Sequence, residues 1–230
     1  MSDDATIFVV VVGMVVALCL FFCYVYWDFA HSRERELRRR AAQGEAQAQY
    51  ELGLQYCSQR SKAGSAAELF ARAARQGHAE AVCMLGLCYQ EGFGVEASLP
   101  RAVELWQQAA AMGSVQGELC MADAYLLGTG LPKDEARAVH TYRRLAARGI
   151  AQAQYQLGIC FLLGAAVLPQ ERRSAVKWLR KAAEQGHADA RHRLLMLDEH
   201  VPEPLNAVPP GLFCDPQTAK QLFSVRRLRN

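Results

Sequence analysis

The stretch AEAVCMLGLCYQEG (79–92), followed a few residues later by AVELWQQAAAMG (102–113), decides the fold. Ala81, Leu85 and Tyr89 fall at i, i+4 and i+8, one face of a helix, and are read as the inter-helix core. The second segment ends in Gly113, the residue type that most readily takes the left-handed conformation closing a helix. Two helices joined by the glycine-containing turn EGFGVEAS (91–98) make a hairpin. The pair returns as AQAQYQLGICFLLG (151–164) and AVKWLRKAAEQG (175–186).

Working outward, Gly44, Gly77, Gly113, Gly149 and Gly186 are separated by 33, 36, 36 and 37 residues, a helical-hairpin period. Nine positions after the first four of these stand Gly53, Gly86, Ala122 and Gly158, and three further on come Tyr56, Tyr89, Tyr125 and Phe161. Small residues let a neighbouring helix come close, because side chains at a crossing set the packing distance. A bulky residue at Gly86 or Gly158 should prise the pair apart. Arg75, Arg148 and Lys181 lie near the ends of second helices, where cations favour the helix dipole. The expectation is an all-α chain: a right-handed α-solenoid of about four to five helical hairpins over residues 44–199.

Residues 7–27, IFVVVVGMVVALCLFFCYVYW, carry no charge and match a single transmembrane helix. Tyr24, Tyr26 and Trp27 mark its interfacial end, and Arg33, Arg35, Arg38, Arg39 and Arg40 follow directly. The positive-inside bias then leaves residues 1–6 as a short extracytoplasmic tail and holds the rest in the cytoplasm. Residues 28–43 read as a basic juxtamembrane, capping helix, and 200–230 as a proline-rich tail with a short basic amphipathic segment. Gly13 and Ala17 form a small-x-x-x-small pair that offers a homodimer contact. The alanine- and arginine-rich composition with one anchor suggests a bacterial inner membrane.

A net charge of only +3 leaves no basic surplus for phosphate neutralisation, so nucleic acid is not an expected partner. Nucleophile-elbow, phosphate-loop and dinucleotide motifs are absent, which points to no catalytic residue and no cofactor. His187, His192 and His200 lack a metal-ligand spacing. Cys88 and Cys160 sit beside the core aromatic as small buried hydrophobes, and irregular cysteine pairing implies a reducing compartment. Trp106 and Trp178 are read as core or repeat-interface residues.

The pattern Gly-x-Ala-x-Ala-x-x-x-Leu-Gly-x-x-Tyr-x-x-Gly, then Ala-x-x-Trp-x-x-x-Ala-Ala-x-x-Gly, resembles the Sel-one-like repeats of the tetratricopeptide-type superfamily. The match covers most of residues 41–199 and weakens after Gly113, where Val115, Gly117 and Ala122 replace Ala, Ala and Gly, and after Gly186, where Leu195 and Asp198 replace the Gly and the aromatic. The resemblance implies a non-catalytic adaptor whose concave face binds proteins at a membrane; an accessory subunit of an envelope or secretion machine with a periplasmic solenoid is the alternative.

Helical phase places positions 3, 7, 10 and 14 after each glycine opposite the expected core. The candidate partner face is therefore Gln47, Glu51 and Leu54; Glu80, Met84, Leu87 and Glu91; Gln116, Cys120 and Asp123; and Gln152, Gln156 and Ile159.

Overall fold

The computed structural model describes residues 14, 16, 18, 20–22, 26, 32–164 and 168–200. The expected tails at 1–6 and 201–230, most of 7–27 and the Gly13/Ala17 pair lie outside them. Among the described residues no helix is long and apolar enough to cross a membrane.

Helix α1 covers residues 32–42. Paired helices follow: α2 (Ala46–Cys57) with α3 (Ala63–Arg75), α4 (Ala79–Glu91) with α5 (Leu99–Ala111), α6 (Val115–Leu127) with α7 (Glu135–Ala147), and α8 (Ala151–Leu163) with α9 (Arg172–Glu184). A shorter α10 (Ala188–Met196) opens a further unit. Each helix packs on the one before and the one after it, which makes an all-helical solenoid of hairpin repeats.

The expected glycine caps are present. Gly77 stands at φ +82°, its N–H bonds to the Ala74 carbonyl at 3.0 Å, and the N–H of His78 reaches back to the Ala73 carbonyl at 3.2 Å. This double bond pattern closes the last turn of a helix. It recurs where Ser114 bonds to Ala109, Ile150 to Leu145 and His187 to Ala182. Inside each later hairpin, the N–H of Ser98, Asp134 or Glu171 donates to the carbonyl of Tyr89, Tyr125 or Phe161 at 2.8–3.0 Å, pinning the start of the second helix to the aromatic of the first.

Close crossings fall at the predicted small residues. A Cβ on Gly86 would stand 2.5 Å from the Trp106 indole nitrogen, and one on Gly158 would stand 2.9 Å from Leu179 Cγ. The departures in the third unit form a compensating exchange. Ala122 replaces the glycine that faces a unit's own second helix, whereas Gly117 replaces an alanine that faces the preceding one. A Cβ on Gly117 would lie 2.7 Å from the Ala110 backbone nitrogen, so α6 is drawn in against α5.

The core continues from hairpin to hairpin. Leu37 and Ala41 of α1 pack with Ala48 and Leu52, then a cluster around Phe70, Met84 and Trp106 reaches Cys120 and Ala124. Tyr142 with Leu157, and Leu179 with Leu194, carry it onward.

Gly117→Ala should lower stability by about 1–3 kcal/mol, because backbone rather than a mobile side chain blocks the methyl. The same change at Gly64, with nothing within 4 Å, should raise it by about 0.4–1 kcal/mol through the unfolded chain. Chemical denaturation of both variants measures the opposite signs.

Candidate interaction face

The first helices α2, α4, α6, α8 and α10 present the surface on which the candidate residues were placed. Four of those residues are not on it. Leu54, Met84, Leu87 and Cys120 are buried in one cluster with Phe70, Cys83 and Trp106. The reason is geometric: α4 contacts α3 and α5 and also touches α6, with the Cys83 and Cys120 sulfurs 3.7 Å apart. A first helix thus buries two flanks and keeps only a narrow strip open. The expected stripe shifts accordingly, since Ala81 is buried but Leu85 and Tyr89 are only partly covered. Ile159 is half-buried and packs toward Leu179 and Val176.

The polar candidates line the strip and tie successive helices together. Gln47 is exposed, donates to Glu51 at 2.8 Å, and accepts from His78 at the start of α4 at 2.9 Å. Gln152 meets His187 at the start of α10 at 2.7 Å. Asp123 accepts from the Tyr142 hydroxyl at 2.6 Å and from Gln156 of α8 at 3.2 Å. Burial, and then the Asp123 carboxylate, push the Tyr142 phenol above its ordinary range, so it stays protonated and donates. Gln116 reaches the Cys120 sulfur at 3.9 Å, Glu80 is exposed, and Glu91 is half-buried beside Gln90.

Two constellations escaped the sequence reading. His78 stacks on Tyr50 with ring centroids 4.6 Å apart, and His187 on Tyr155 at 4.7 Å. In both, Nδ1 accepts the N–H of the third following residue, Ala81 or Ala190, which makes the histidine an N-cap. Nε2 therefore carries the proton given to Gln47 or Gln152. Nearby, buried Gln49 donates to the Ala41 carbonyl at 3.2 Å and accepts from Gln76 at 2.9 Å, while Gln154 donates to Ala146 at 3.3 Å and accepts from Gln185 at 2.8 Å. The signal was the repeated pentapeptide AQAQY at 46–50 and 151–155, followed by QGH at 76–78 and 185–187.

The strip also holds Leu127 and Leu163, exposed by 71% and 74% and both fourteen residues after a capping glycine. Leu127 borders a cleft of about 80 Å³ with Gln90, Asp123 and Thr129, against which Trp106 packs. The indole N–H of Trp106 is buried without a hydrogen-bond partner.

Cys57, Cys83, Cys88, Cys120 and Cys160 are buried thiols. Burial pushes Cys160 up to about 11 and Cys88 higher still, which removes thiolate chemistry from both at neutral pH. Trp106 is buried as expected, and Trp178 is half-covered with the Lys181 ammonium over its ring.

The Sel1 repeat family model matches residues 46–78, 79–114, 118–150 and 151–187, more than half of the sequence, and the chain belongs to that family. It is similar to the crystal structure of a Sel1 repeat protein from Oxalobacter formigenes: 26% identity over 82% of this chain and 73% of that one, with a TM-score of 0.62. It is also similar to c5321, a protective antigen present in uropathogenic Escherichia coli strains and displaying an SLR fold, at 25% identity and a TM-score of 0.54. That match covers 84% of this chain but 40% of the antigen. No curated protein matches the chain significantly. Sel1 repeat proteins act in general as protein-interaction scaffolds.

Replacing His78 by Ala removes cap and stack together and should destabilise by about 2 kcal/mol. His78→Ser keeps the cap, as Ser114 does naturally for the Gly117 N–H at 3.2 Å, and should recover about half of that loss. Thermal unfolding compares the two.

Proposed function

We propose that the chain is a membrane-tethered, non-catalytic scaffold that uses the strip of its first helices to hold a partner protein. The observation that carries the reading is the pair of repeat-equivalent exposed leucines, Leu127 and Leu163, set beside a row of amides and carboxylates that includes Glu51, Asp123 and Gln156. Apolar side chains left open at one phase of a repeat are anchors for a ligand running along the stack. Beside Leu127 the Thr129 hydroxyl and the Asp123 carboxylate offer a donor and an acceptor for a peptide backbone.

The tether rests on the uncharged run 7–27, within which residues 14, 16, 18, 20–22 and 26 are helical with exposed, largely apolar side chains. The arginines that follow favour a cytoplasmic solenoid in a bacterial inner membrane, and the buried thiols fit a reducing compartment. An accessory subunit of an envelope machine would hold the solenoid on the other side.

Photo-crosslinking amino acids placed at Leu127 or Leu163 in cells should give one discrete adduct, and at Glu104 on the outer helix α5 none. Adducts from all three positions, or from none, would refute the strip. In intact cells, Cys214 should resist a membrane-impermeant maleimide and react after permeabilisation; labelling before permeabilisation would place the solenoid outside the cytoplasm.

A further inference from the structure

The last complete hairpin among the described residues exposes a surface unlike that of the inner ones. Along α9, residues 172, 173, 176, 177, 180, 181 and 184 form one stripe lining a groove of about 770 Å³. From residue 172 to residue 184 the helix rises about 18 Å, a little over three turns. Five of the lining residues, Arg172, Arg173, Lys177, Arg180 and Lys181, are cations, against Glu184 on the same helix and Glu199 beyond α10. Glu199 is already engaged, at 3.5 Å from Arg172 and 3.4 Å from Arg180. Arg173 and Lys177 have no hydrogen bond or ion pair with any described residue, and the Arg180 Nε–H is buried without an acceptor. Thirteen and nine residues before their capping glycines the other second helices carry Gly64 and Glu68, Pro100 and Glu104, or Ala136 and His140, so the cationic pair belongs to this hairpin alone.

Beside the groove, α10 lacks a described partner on one flank. Leu195 and Met196 stand nine and ten residues after Gly186, the positions of Gly86 and Leu87 in the second hairpin. There the unit's own second helix closes over the first of them, with Trp106 against Gly86, and Leu87 is buried in the core. On α10 they are 64% and 68% exposed. The end of the solenoid therefore offers an apolar edge on one helix and unneutralised cations spaced by turns on the next.

We propose that this end seats an acidic amphipathic helix of a partner protein, which takes the place of a fifth second helix with leucine-type residues toward Leu195 and Met196 and carboxylates toward Arg173 and Lys177. Charge complementarity selects that occupant. The chain's own final segment, TAKQLFSVRRLRN (218–230), brings Lys220, Arg226, Arg227 and Arg229 with no acid, and would set cation against cation. A concave groove about 18 Å long also suits a helix better than a flat anionic bilayer.

The probe is a fluorescein-labelled 18-residue peptide, three copies of Glu-Leu-Leu-Glu-Glu-Ala, titrated by anisotropy with the full chain in neutral detergent micelles. Its Gln-for-Glu counterpart is the comparison. The acidic peptide should bind at least tenfold tighter than the Gln peptide, and raising NaCl from about 50 mM to 500 mM should weaken it severalfold. The double change Arg173→Glu with Lys177→Glu should reduce affinity at least tenfold with unchanged melting, Lys177→Gln by a few-fold, and Arg72→Glu on α3 not at all. Equal binding of the two peptides, or an unaffected double variant, overturns the proposal. It is equally overturned if phosphatidylglycerol vesicles bind the groove while the peptide does not, or if removing residues 218–230 raises peptide affinity tenfold, which would show the tail in the slot.

Discussion

Everything in this solenoid hangs on a junction three residues long. Each second helix ends on a glycine at positive φ, and at three of the joints the residue after it serves two helices at once: the His78 N–H closes α3 on Ala73, and its ring nitrogen accepts the Ala81 amide in the first turn of α4. Ser114 and His187 repeat the arrangement. With no slack at this joint, the angle between one hairpin and the next is set by backbone hydrogen bonds rather than by a loop. The variation in repeat length is pushed into the other joint, where turns of five, seven, seven and eight residues separate the two helices of a hairpin. A loop of that kind lengthens at small entropic cost, whereas an added residue at the glycine would remove a cap from both helices.

Around that joint the sequence has freedom so long as each buried group is answered. The residue five positions after the glycine is Gln49 or Gln154 in the outer hairpins, where an amide bridges three segments. It is Val82 in the second hairpin, and in the third it is Glu118, paired with Arg144 at 2.9 Å. An amide, a hydrocarbon and an ion pair are interchangeable there because none leaves a buried donor or acceptor unmet, the state that carries the penalty. The exchange of Gly and Ala between positions 117 and 122 follows the same logic for volume. One methyl is moved from the flank facing α5 to the flank facing α7.

These rules explain what was legible. Caps, period and close crossings each depend on one residue type at one spacing, so Gly77, Gly86 and Gly158 could be placed from the letters alone. The partner face could not. Helical phase distinguishes one side of an isolated helix from the other, but α4 is covered from α3, α5 and α6, and nothing in AEAVCMLGLCYQEG says that Met84 and Leu87 are buried in a cluster that reaches Cys120 and Ala124 of the next hairpin. The leucines that do remain open, Leu127 and Leu163, stand at a position the phase argument allowed but where the second hairpin has Glu91. His187 was weighed only as a metal ligand and His78 was not singled out, because a histidine that caps one helix and stacks on another has no signature of its own without the AQAQY and QGH context.

A net charge of +3 conceals how unevenly the charge is used. On α1 the arginines are answered within a turn or so: Arg38 by Glu34, Arg39 by Glu36, and Arg40 by Glu45, whose carboxyl the Arg40 hydrogen bond holds below its ordinary value. Such exposed pairs add little stability, but they leave almost no field behind them. The stripe on α9 has a similar number of cations and no such partners for Arg173 and Lys177. Along the strip of first helices the sign reverses, with Glu51, Glu80, Glu91 and Asp123. The same amino-acid count therefore builds a quiet helix near the apolar run, an acidic strip along the stack and a cationic end. Because low-dielectric walls concentrate a field where charge is not neutralised locally, the strip and the end present fields of opposite sign.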